Sequence, residues 1–160
     1  MSMEKIMKEL KSLSIFIGVM AVSQALNLLS YLDAMKDIDA AALSAMSSVD
    51  LSTMGISLDT ILPIVKGIGV APFVLSILLH LILCIKGLKE ANDPSPAKFH
   101  IVLAIIALIG YAFATISNIA ALFNDEGDML LKVLNAVIAP ASAALMFYYS
   151  KYARQIRTKE

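Results

Sequence analysis

Tryptophan is missing from this chain of 160 residues, cysteine occurs once, and only 16% of the residues are charged. A single thiol, Cys84, can neither close an internal disulfide nor build a thiolate zinc cage. The net charge is zero, so electrostatics provides no case for nucleic acid as a partner. Soluble domains carry about 25% charged residues, well above the content here. No Asp or Glu falls within residues 12–32, 61–87, 96–123 or 129–149.

Those four stretches are also where the apolar residues collect; 59% of the chain is hydrophobic. A helix needs roughly 20 apolar residues to cross a hydrocarbon core about 30 Å thick. In lipid each backbone polar group must bond within its own segment, which selects helices over open strands. The expected fold is an all-α membrane protein, a single four-transmembrane-helix bundle over residues 1–160. A short amphipathic helix is expected in the first outer loop, 33–60. There Ile38, Ala42, Ala45 or Met46, and Val49 recur at helical spacing, with Gly55 as a stop.

The connections carry stop and start signals. Residues 57–60 offer Ser57, Asp59 and Thr60 as N-caps for the second span. The second span ends at Asn92-Asp93-Pro94. Ser95 followed by Pro96 suits the start of the third. Gly127 marks the last turn, and Asp128 can cap the fourth span.

Basic residues set the orientation. Lys5, Lys8 and Lys11 precede the first span, and Lys86, Lys89 and Lys98 surround the second connection. Lys151, Arg154, Arg157 and Lys159 end the chain, so ten of the thirteen cations lie on one side. The opposite side holds Asp33, Asp37, Asp39, Asp50, Asp59, Asp125, Glu126 and Asp128, with Lys36, Lys66 and Lys132 as its cations. Both termini are therefore expected in the cytoplasm and the chain in the plasma membrane. Ser12 onward is too long an apolar run for the core of a cleavable signal peptide, which spans about 7–15 residues.

Polar residues within the spans are uneven. Gln24, Asn27, Lys66, Asn118, Lys132 and Asn135 all fall in the outer half, while the inner half shows little beyond His80 and Cys84. Intramembrane charge is costly and marks function by default. The six are a candidate outer polar pocket for an anionic ligand, a lipid head group or a partner's carboxylate. The competing reading lets both lysines snorkel to the interface while the amides bond between helices.

Pro72 and Pro140 are candidate helix kinks. Small residues form stripes on the first and third spans, and Gly18, Ala21, Gly110 and Ala114 are the candidate packing positions. Weak internal similarity pairs Ile17-Gly18 with Ile109-Gly110, and Ala71-Pro72 with Ala139-Pro140, as a parallel duplication of one hairpin would.

Enzyme chemistry has little support. His80 and His100 are the only histidines, and neither has an acidic residue one helical turn away. Cys84 follows His80 by one turn, but nothing would orient the pair as nucleophile and base. Glycine-rich phosphate loops and HExxH helices do not occur. Claudin-like tetraspan proteins carry a tryptophan and paired cysteines in the first outer loop, and this chain has neither. Small multidrug transporters use a glutamate in the first span, where this chain has none. No metal or cofactor is expected. The expected partners are the lipid bilayer and a membrane protein or a second copy of the chain. The favoured function is a non-enzymatic accessory or interaction protein acting on the outer face. The alternative is a small oligomeric channel or transporter with an outward vestibule.

Overall fold

The computed structural model describes residues 2–37, 58–94, 99–123 and 129–157. Four helices account for nearly all of them: α1 (Met3–Ala34), α2 (Leu58–Asn92), α3 (Phe99–Ala121) and α4 (Met129–Arg157). All four are long and apolar enough to cross a membrane. No strand occurs among the described residues. This is a multi-pass, all-helical membrane fold. The expected amphipathic helix falls mostly on residues 38–57, outside the described residues. So do the Ser95-Pro96 start and the 124–128 turn. A 3-10 turn, Met35–Asp37, follows α1 directly.

The helices overrun the apolar stretches read from the sequence. α1 has 32 residues and α2 has 35, so each is about 50 Å long, against a hydrocarbon core of about 30 Å. α1 starts early because Ser2 caps it. The Lys5 N–H donates to Ser2 Oγ at 3.4 Å and the Ile6 N–H to the Ser2 carbonyl at 3.1 Å. At the end of α2, the Asp93 N–H donates to the Lys89 carbonyl at 2.8 Å, and Pro94 then bars another turn. α3 tightens at its end through bonds from Leu122 to Ile119 and from Phe123 to Ala120. Pro72 and Pro140 both lie inside continuous helices.

The chain forms two compact units, Met1–Gly18 with Leu81–Glu160, and Val19–His80. In the first unit the buried positions gather toward the helix ends that carry the basic clusters, here called the basic ends. α1 contributes Ile6, Leu10, Ser14 and Ile17, a face repeating every three to four residues. α2 contributes Leu83, Gly87, Glu90 and Ala91. α3 contributes His100, Ile101, Ala104 and Ala107, and no residue beyond Ala107 is buried. α4 contributes Ala139, Ser142, Met146, Tyr149, Ser150, Ala153 and Ile156.

Tyr149 is central to that packing. Its ring is fully buried and its hydroxyl donates to the Leu83 carbonyl at 2.9 Å, tying α4 to α2. The ring meets His100 edge-on, with centroids 6.0 Å apart. Gly87 makes the approach feasible. A Cβ there would run into Ser14 Oγ and would lie 2.5 Å from Tyr149 Cε2. Gly18 stands in similar contact with Cys84, whose Sγ would be 2.9 Å from an added Cβ. Lipid offers no hydrophobic drive between helices, so close contacts and interhelical hydrogen bonds must hold them. Gly110 differs: a Cβ there meets nothing within 4 Å. Buried positions on α3 end one turn earlier, at Ala107.

The second unit is less buried. Among its described residues Ala21 is 2% exposed and His80 1%, and the remainder are half-buried or exposed. Tyr31 stacks obliquely on Phe73, with centroids 5.3 Å apart. It also covers Gly69, where a Cβ would collide with its hydroxyl.

Candidate functional site

The six residues of the expected outer pocket divide between the units. In the first, the Asn118 side-chain amide donates to the Asn135 carbonyl at 3.1 Å, joining α3 to α4. The Asn135 side chain itself is exposed, and Lys132 is half-buried. In the second, Gln24 is half-buried and Asn27 exposed. Lys66 lines a cavity of about 200 Å³ with Tyr31, Leu32, Met35, Lys36 and Val70.

This cavity is the candidate site. Lys66 and Val70 project from successive turns of α2, and Tyr31 and Met35 stand one turn apart. Gly69 lets the Tyr31 ring lie against α2. Lys36 is committed elsewhere: its Nζ pairs with Asp33 Oδ1 at 2.8 Å. That pair is exposed and contributes little to stability, but it neutralises Lys36. Lys66 is half-buried as a residue and has no ion pair among the described residues, so its charge stands beside mainly apolar walls. Such a cation favours an anionic occupant. The volume is below the roughly 300–1,000 Å³ of small-molecule pockets. A single carboxylate or phosphate fits it better than a cofactor.

The sequence reading found Lys66 and missed Tyr31, Met35 and Lys36. Gln24, which it placed beside Lys66, lies seven residues before Tyr31, about 10 Å deeper along the helix. The Tyr31–Met35 step of four residues, continuing the helix into the loop, was the available signal.

The basic ends, which extend past the apolar stretches, bury further polar residues. Ser14, Glu90, His100, Ser142 and Ser150 are all buried within the first unit. The apolar run appeared to end at Gly87, yet Leu83, Gly87 and Glu90 continue one helix face past it. Hydroxyls in the helices bond to their own backbone. Ser14 donates to the Leu10 carbonyl at 2.7 Å, Thr115 to Tyr111 at 2.7 Å and Ser142 to Ile138 at 2.9 Å. His80 Nδ1 likewise donates to the Ser76 carbonyl at 2.6 Å, while the Cys84 sulfur lies against Gly18.

The positions paired by internal similarity have different surroundings. Gly18 touches Cys84 whereas Gly110 faces open space, and Ala139 is buried whereas Ala71 is exposed. Compared with protein-family models, curated proteins and solved structures, the chain finds no match.

Proposed function

We propose that this protein is a non-enzymatic accessory protein of the cell membrane that holds a membrane-protein partner at its acidic, outer end. The occupant of the Lys66 cavity is a carboxylate of that partner. The observation that carries this reading is Lys66, half-buried as a residue and set among Tyr31, Leu32, Met35 and Val70 without an ion pair among the described residues. In the sequence of residues 33–60, the helical spacing of Ile38, Ala42, Ala45 or Met46, and Val49 suits a docking element. The alternative, an oligomeric channel, needs a polar route toward the cytoplasm. Burial of Leu10, Ile17, Leu83, Met146 and Tyr149 at 0% exposure weighs against such a route through the first unit.

Purification of the full chain in mild detergent, followed by identification of co-purifying proteins, tests the proposal. Lys66→Met should deplete a specific partner protein, and restoring charge with Lys66→Arg should recover it. Equal recovery with the wild type and Lys66→Met would overturn the reading. Loss of a lipid instead of a protein would reassign the occupant.

Both termini are placed in the cytoplasm on the ten-to-three division of basic residues. In a Cys84→Ser background, Ser44→Cys should react with an impermeant maleimide in intact cells and Asn92→Cys should not. Labelling confined to position 92 reverses the orientation.

A further inference from the structure

Beyond the Lys66 cavity, one more surface joins cations to aromatic groups at a defined depth. Phe147, Ser150, Lys151, Arg154 and Gln155 line an open groove of about 330 Å³ along the end of α4. Lys151 and Arg154 are exposed, and Phe147 is 50% exposed. The three lie at i, i+4 and i+7, one face of the helix. From this geometry we propose that the groove binds an anionic phospholipid, with its phosphodiester on Lys151 and Arg154 and an acyl chain along Phe147.

Depth supports this occupant. The helical rise from Lys132 to Lys151 is about 28 Å, close to the roughly 30 Å thickness of the hydrocarbon core. With Lys132 taken as the outer edge of the core, Lys151 and Arg154 fall at head-group level on the other side. Phe147 stands one turn deeper, about 6 Å from Lys151, where a lipid's first methylenes run.

The donors are distinguishable. Ser150 is buried and its hydroxyl already donates to the Phe147 carbonyl at 2.9 Å, so it is not the phosphate donor. The Lys151 ammonium lies 5.7 Å above the Tyr148 ring, within cation–π range. Tyr148 in turn stacks on Tyr152, with centroids 6.2 Å apart, and meets Phe147 edge-on at 5.5 Å. This aromatic run positions the ammonium beside the groove before a ligand arrives. The Arg154 guanidinium adds a planar fork that can bond two phosphate oxygens. A zwitterionic lipid offers the same phosphate but brings a choline cation that these two residues repel. A basic site at the membrane surface therefore discriminates by net charge.

The test is native mass spectrometry of the full chain in mild detergent, titrated separately with phosphatidylglycerol, phosphatidylcholine and inorganic phosphate. The wild type should retain phosphatidylglycerol roughly tenfold more tightly than phosphatidylcholine. Lys151→Gln with Arg154→Gln should bring the two lipids within about twofold. Both residues are exposed, so helicity and elution should be unchanged. Lys151→Arg with native Arg154 should keep the preference, which provides a second measurement if the double variant misfolds. Lys66→Met should also keep it, separating this site from the Lys66 cavity. Millimolar inorganic phosphate should not displace the lipid. Equal retention of both lipids by the wild type would overturn the proposal. So would an equal loss from Lys86→Gln with Lys89→Gln, which would mean unspecific attraction to basic residues, or displacement by phosphate, which would mean a free-anion site.

Discussion

The two units of this chain meet the same requirement, helix contact without help from water, in different ways. In Met1–Gly18 with Leu81–Glu160, fully buried side chains from all four helices converge on Tyr149 and Gly87. In Val19–His80, contact depends on a half-exposed tyrosine laid over Gly69 and Phe73. Closely packed cores resist small changes in volume, whereas a side chain with open space beside it can move aside. Structural constraint thus concentrates in the first unit, and a cavity with a charged wall remains available in the second.

Substituting glycines tests that difference most directly. Gly87→Ala should have the largest effect, about 1–3 kcal/mol of destabilisation, because its Cβ meets Ser14 and Tyr149 and both are buried. Thermal melting in detergent should fall by several degrees; an unchanged melt would mean that the Tyr149 contact yields easily. Tyr149→Phe keeps the ring and removes the bond to the Leu83 carbonyl. It should cost about 1 kcal/mol, measured as a smaller drop in the same assay. Equality with wild type would assign Tyr149 a packing role alone.

Gly69→Ala makes a collision of the same kind in the second unit. Tyr31 can swing away, so the loss should be limited to its stacking on Phe73, under about 1 kcal/mol. A loss as large as that of Gly87→Ala would mean that both units are equally constrained. Gly110→Leu should have the smallest effect, within about 0.5 kcal/mol, since no atom lies within 4 Å of an added Cβ. A clear fall in melting temperature would place another helix or a second copy of the chain on that face.

Much of the fold was legible in the residue order. The four apolar runs identified the four helices because backbone satisfaction in lipid leaves few alternatives to a helix. The breaks at Asn92-Asp93-Pro94 and around residue 124 were readable for the same reason, being where polar and helix-breaking residues interrupt those runs. Helix lengths were less legible. α1 begins at Met3 and α4 continues to Arg157, where apolar content no longer marks the helix and burial of Ile6, Leu10, Ala153 and Ile156 sustains it. The candidate site was legible in part. Lys66 was conspicuous as a charge in an apolar run, whereas Tyr31 and Met35 were not, since an aromatic residue and a methionine at a span end have no distinguishing chemistry.

Residue order by itself determined that this chain has four apolar runs long enough to cross a membrane, with ten of its thirteen basic residues on one side of them. Both properties follow from transfer energies that each residue brings independently of its neighbours. Tertiary structure decided which small residues are contacts and which face open space, since Gly18, Gly87 and Gly110 have identical chemistry and differ only in what stands opposite. It also decided that Glu90 and His100 are buried, and that Lys66 shares a cavity with Tyr31 and Met35. Those outcomes depend on the rotation of each helix about its axis, which interhelical contacts set and no single helix encodes.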